Sequence, residues 1–225
     1  MSEKIITLLA DSFWKILLPG ITATIPLTII SFALALIIAT VTALVQFARV
    51  PVLTPLARFY IWIIRGTPLL VQLFVIFFGL PRIGVVLEPF PAAIIVFAVN
   101  TGAYDAETVR AALESVPHGQ LEAGECAGMT YWQTMRRIVL PQAMRTAFPS
   151  LSNSLISLVK DTSLAANITV SEMFMTTQRI VARTYEPLAL YIEVGAIYLI
   201  FSTVLTWLQG RGEKRLNAYQ KQEVK

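Results

Sequence analysis

The chain has 225 residues, 56% hydrophobic and only 14% charged, where a soluble domain carries about a quarter. That balance excludes an ordinary soluble protein and reads as one membrane-embedded domain. The net charge of +4 comes without a basic face interleaved with aromatics, so nucleic acid is not expected as a partner. Cys126 and His118 are each the only residue of their kind, so neither an internal disulfide nor a dedicated metal site is expected.

From the N-terminus, Ile5, Ile6, Leu9, Phe13 and Ile16 recur at helical spacing. Residues 1–18 therefore predict a helix lying in the membrane surface rather than a cleaved signal. Ile16 to Ala48 holds no charge, more than the ~20 residues one crossing needs. The spans expected are 22–47, 57–80, 91–110, 147–168 and 187–209. No internal repeat is present, which argues against the inverted halves of many secondary carriers.

Residues 115–141 form a polar insert between the third and fourth spans. Pro117 suits a first helical turn, and Gly128 suits a left-handed cap at the end of that helix. Thr130 with Gln133 reads as a capping box opening a second helix, with Tyr131, Met135 and Ile138 on one side and Pro141 closing it. Ala123, Gly124, Ala127 and Gly128 make one side of the first helix small enough for another backbone to approach, beside Glu122 and Glu125. The insert predicts a stiff two-helix elbow with a docking face.

With the N-terminus outside, the inner face collects Arg49, Arg58, Arg110, Arg136, Arg137, Arg145, Arg211, Lys214, Arg215, Lys221 and Lys225. The outer face keeps Lys4, Lys15, Arg82, Arg179 and Arg183. The asymmetry favours an inner elbow and C-terminus.

Arg65, Lys160, Asp161 and Glu193 fall inside spans, each at a cost on the order of 2.5–3.5 kcal/mol unless partnered or wetted. Arg65 is expected to be structural, tying the second span to Asp105 or Glu107. Two readings stand for Lys160 and Asp161. Either they line the pathway and face a zwitterion's carboxylate and ammonium, or Lys160 pairs with Glu193 at similar depth. Ser163, Gln72 and Asn100 are further polar residues of the candidate pathway, although interhelical hydrogen bonds explain the last two almost as well.

The string GQLEAGECAGMTYWQTMRRIVLP (119–141) resembles the EAA loop of permease subunits in ATP-binding-cassette importers, with Gly124 where the third residue is usually Ala. ARFYIWIIRGTPLLVQLF (57–74), AYDAETVRAALESVPHGQ (103–120) and LISLVKDTSLAA (155–166) resemble the polar amino acid uptake family over most of the chain. LSNSLISLVKDTSLAA with TMRR and LPQA is most similar to its L-cystine branch.

The resemblance implies an all-α, five-span type I importer permease in a bacterial inner membrane. It implies a second permease subunit, identical or closely related, and an extracytoplasmic amino-acid-binding protein. It also implies cytoplasmic ATPases that hold the ATP and magnesium and pull on Glu122, Ala123, Gly124, Ala127, Gly128 and Pro141. Cystine is the substrate it suggests, with arginine, histidine or glutamine as alternatives. The chain has no phosphate-binding loop and no HExxH, GxSxG or paired-histidine pattern, so neither ATP hydrolysis nor other catalysis is expected of it. An ion-coupled carrier using Lys160, Asp161 and Glu193 as a relay is the competing class.

Overall fold

The computed structural model describes residues 3–217, and every regular element in them is helical. Lys221 and Lys225 of the expected basic tail, and the first two positions of the expected surface helix, lie outside the described residues.

The N-terminal helix is not a separate element. Helix α1 (Glu3–Pro19) passes through a five-residue π turn, Gly20–Thr24, into α2 (Ile25–Phe47). Together they form one 45-residue helix, so no break separates the expected surface helix from the first span. The same device recurs twice. A π turn at Val75–Gly79 follows α4 (Leu69–Phe74), and another at Met135–Val139 follows α7 (Tyr131–Thr134). Each is followed by a proline at its second position onward: Pro26, Pro81 and Pro141. Proline lacks an amide and its ring collides with the carbonyl four residues back. A wider turn, bonded five residues apart, avoids that collision. The Ile25 amide donates to the Gly20 carbonyl and the Leu140 amide to the Met135 carbonyl in this way.

Pro141 consequently does not close the elbow's second helix. Helical backbone continues from Tyr131 into α8 (Leu140–Asp161), which ends in a 3-10 run, Thr162–Ile168. The extra residue also shifts the buried stripe. It falls on Met135, Val139, Ala143, Ala147 and Leu151, while Tyr131 is exposed and Ile138 half-buried.

The expected second span is broken. Helix α3 (Leu53–Arg65) ends at Gly66, and α4 begins after Pro68, with a bend of 102° between them. Pro68 has no amide for the α3 carbonyls. Gln72 takes over, donating to the Ile64 carbonyl at 2.8 Å and to Thr67 Oγ1 at 2.9 Å. The polar stretch after the fourth span contains a further helix, α9 (Met173–Thr184). Buried Glu172 caps it, accepting from the Phe174 and Met175 amides at 2.8 and 2.7 Å and from Tyr198 Oη at 2.9 Å. Burial pushes this carboxyl above its ordinary range, against the downward pull of those donors.

Helix α5 (Pro89–Glu114) is the centre of the bundle, with buried residues from Ala92 to Leu113. It packs along α2, whose Ser31, Ala35, Ala39 and Ala43 recur every fourth residue and are all buried. A Cβ on Gly102 would sit 2.9 Å from Ile38 Cγ2 and 3.3 Å from the Ala35 carbonyl oxygen. In lipid, where apolar surface gains little from leaving its surroundings, close packing of this kind holds helices together. Ser154 Oγ of α8 donates to Asp105 Oδ1 of α5 at 2.6 Å. Helix α10 (Pro187–Asn217) packs on α8, and Ile16 of α1 meets Met173, Val194 and Ile197 of α9 and α10.

Among the described residues two helices are long and apolar enough to cross a membrane, Glu3–Phe47 and Pro187–Leu216, with the bent α3–α4 pair a third if taken together. Helices α5 and α8 fall outside that count, because their neighbours let them carry polar residues.

Candidate functional site

Helix α8 carries Ser150, Asn153, Ser154, Ser157 and Asp161 at spacings of three and four, which puts them on one side. That side faces a polar cavity of about 590 Å³. Asn100, Thr101 and Tyr104 of α5 form the opposite wall, and Thr67 to Leu69 at the α3–α4 break close the third side. Asp161 supplies the one carboxylate among these lining residues. The α3–α4 break thus lies at the edge of this polar face.

The structure separates residues that the sequence reading grouped. Lys160 points away from Asp161, as adjacent helical residues do. It lines a second cavity of about 420 Å³ with Ser163, Phe174, Tyr191 and Tyr198. No ion pair joins Lys160 to Glu193 among the described residues. Glu193 instead accepts from Ser12 Oγ at 2.5 Å, which ties α10 to α1.

Arg65 makes no ion pair with Asp105 or Glu107 either. Its guanidinium lies over the Tyr104 ring, 5.1 Å from the centroid, a cation–π arrangement at the cavity edge. The expected partners are taken: Asp105 by Ser154, and Glu107 by Arg110 at 2.7 Å. Asn100 Nδ2 donates to Gln72 Oε1 at 3.0 Å, so Gln72 braces the break while Asn100 both holds it and lines the cavity. Asn153, Thr101 and Tyr104 were not singled out from sequence for this wall. The polar recurrence on α8 was a usable signal, and for α5 none existed before its neighbours were known.

The elbow consists of α6 (His118–Cys126) and α7. Pro117 caps α6 from outside rather than opening it. Gly128 has φ +73°. The Met129 amide donates to the Gly124 carbonyl at 3.0 Å and the Gly128 amide to the Glu125 carbonyl at 2.9 Å, the paired bonds of a Schellman ending. The Thr130–Gln133 capping box is formed in both directions. Glu122, Ala123, Ala127 and Gly128 are exposed, as a docking face requires.

Gly124 is not on that face. It is buried against α7, where a Cβ would lie 2.5 Å from Thr134 Oγ1 and 2.6 Å from its Cγ2. Trp132 of α7 is 76% exposed, its ring 6.0 Å from that of Tyr131, and was not anticipated.

The family described as "Binding-protein-dependent transport system inner membrane component" matches residues 35–218. The chain belongs to this family. It is a membrane-embedded permease subunit, a transport component rather than an enzyme. The L-cystine transport system permease protein TcyB of Bacillus subtilis (strain 168) is 49% identical to it over 213 residues, covering 94% of this chain and 91% of the relative. The nopaline transport system permease protein NocM of Agrobacterium fabrum (strain C58 / ATCC 33970) is 36% identical, covering 97% and 95%.

Among solved structures, a chain from a crystal structure of an amino acid ABC transporter with histidines superposes with a TM-score of 0.86. It is 30% identical, with 96% of the permease and 100% of that chain covered. A chain of the MetNI methionine ABC transporter in inward facing conformations gives 0.77 at 20% identity, covering 96% and 99%, and supports the fold alone. The permease has the type I fold of ABC importers.

Proposed function

We propose that this permease carries a polar amino acid, L-cystine foremost, through the cavity between α8, α5 and the α3–α4 break, driven by separate cytoplasmic ATPases that grip the α6–α7 elbow. The carrying observation is that cavity: a polar pocket of about 590 Å³ between three elements, with Asp161 as its one carboxylate. Asp161 receives the ammonium of the amino acid, and the amide and hydroxyl groups of Asn153, Ser157 and Asn100 replace water around its polar ends. Similarity to TcyB supports cystine; NocM and the amino acid transporter structure keep basic and other polar amino acids as the alternative.

In this reading five spans cross the bilayer, counting the bent α3–α4 pair as one and adding α5 and α8. The N-terminus lies outside, and the elbow and C-terminus lie in the cytoplasm, as the distribution of basic residues favours. A second permease subunit completes the pore and an extracytoplasmic binding protein delivers the substrate. Nucleotide chemistry belongs to the ATPase partner.

The test is reconstitution of the permease with its ATPase and binding protein in liposomes. ATP-dependent uptake of labelled cystine is measured with arginine, histidine and glutamine as competitors. Asp161→Asn is expected to lower uptake at least tenfold while leaving the complex assembled. Full uptake by that variant rejects the pathway assignment, and preference for a competitor reassigns the substrate.

A further inference from the structure

A second polar cleft, of about 660 Å³, lies between the α2–α3 turn and the C-terminal end of α5. Arg49, Arg58, Arg110, Glu107 and Glu114 all line it. Arg110 is fully engaged, at 2.7 Å to Glu107 and 2.8 Å to Glu114. Both carboxylates are therefore committed. Arg49 and Arg58 make no ion pair among the described residues and are exposed.

Arg49 is presented by a strained turn. It has φ +51°, and Val52, a β-branched residue, has φ +67°. Backbone held so far from its preferred regions tends to mark ligand clamps.

The same guanidinium groups adjoin an apolar surface. Trp62 stands one helical turn beyond Arg58 and is 70% exposed; its ring lies 5.9 Å from that of Phe59. Leu56 and Val52 extend the surface toward the turn, also exposed.

We infer that this cleft binds the phosphate headgroup of an anionic phospholipid, whose acyl chains lie along Leu56, Phe59 and Trp62. Guanidinium forks match phosphate oxygens in pairs. A free phosphate would engage the arginines and leave the apolar side bare. A second copy of this chain would cover the apolar side and bring no identified anion to the arginines. A phospholipid satisfies both at once. The proposed orientation assigns the site to the inner leaflet, but the binding itself does not rest on that reading.

The experiment uses the tagged full-length chain, purified with whatever subunits accompany it and stripped of lipid in detergent. Native mass spectrometry follows titration with phosphatidylglycerol or phosphatidylcholine of identical acyl chains. The expected result is selective retention of phosphatidylglycerol. That preference falls about fivefold in Arg58→Gln and about 25-fold in Arg49→Gln/Arg58→Gln, at about fivefold per arginine near an anionic surface. Arg82→Gln leaves it unchanged, and millimolar glycerol phosphate does not displace the lipid.

An unchanged preference in Arg58→Gln overturns the site, and this single variant decides the matter if the double one does not stay monodisperse. Displacement by glycerol phosphate reduces the cleft to a simple anion site. Retention lost only when a permease–permease contact dissociates assigns the surface to a second copy.

Discussion

Gly124 and Thr134 meet where the two elbow helices cross, and no methyl group fits between them. Thr134 Oγ1 is buried there without a hydrogen-bond partner among the described residues. The departure from the usual alanine at this position is thereby accounted for. Gly124→Ala is expected to lower the melting temperature of the purified complex, and Thr134→Ala to restore it. The coupling between neighbours of this kind is about 0.5–3 kcal/mol in a double-mutant cycle, and simple additivity would refute the contact. Gly128 fails differently. At φ +73° with open space around it, Gly128→Val meets no neighbour but carries a left-handed backbone penalty of roughly 1–2 kcal/mol. ATPase capture by the tagged permease and uptake should both fall while the spans still insert. Normal capture would reject the role given to this turn. Gly128 was legible in the sequence because its requirement is local. The inward aim of Gly124 was not, because it depends on where α7 crosses.

Prolines mark the element scale. Pro26, Pro81 and Pro141 each follow a π turn, and reading Pro141 as a helix end overlooked that the bond proline breaks can be removed in advance by widening the turn. Pro141→Ala relieves the collision and allows the Met135–Val139 turn to tighten. One residue passing through that turn rotates the elbow against α8 by about 100°. Spin labels at Gln133 and Ser157 are expected to change their separation, with loss of uptake; an unchanged distance argues that the turn is held by packing alone. The break at Gly66–Pro68 was equally hidden. Residues 57–80 are apolar enough to read as one span, and the side chains that brace the bend, Gln72 on the Ile64 carbonyl and Thr67 on the Ile63 carbonyl, show themselves only in the structure.

At the scale of the whole molecule, orientation can be measured with a residue already present. Cys126 is the chain's only cysteine and is exposed on the elbow. In spheroplasts lacking the ATPase, a membrane-impermeant maleimide is expected to miss it, and to label it once the membrane is permeabilised. Labelling of intact spheroplasts would place the elbow outside and invert the topology. Hydropathy marked the apolar stretches 22–47 and 187–209. They fall inside the two described helices long and apolar enough to cross a membrane, Glu3–Phe47 and Pro187–Leu216, but hydropathy split the first of these from the surface helix expected over 1–18. The span expected at 91–110 lies within α5, but hydropathy did not show that neighbours wrap this helix and bury Asn100 and Asp105. The partners of Arg65, Lys160 and Glu193 were illegible for a related reason: depth along a helix was inferable, but the direction each side chain faces depends on packing between helices. One consequence of the unbroken backbone from Tyr131 to Asp161 concerns the transmission of force. If the elbow is where the ATPases grip, torque applied there reaches the Asp161 carboxylate through continuous helix, with the wide turn at Met135–Val139 and the missing amide of Pro149 as the compliant points on the shaft.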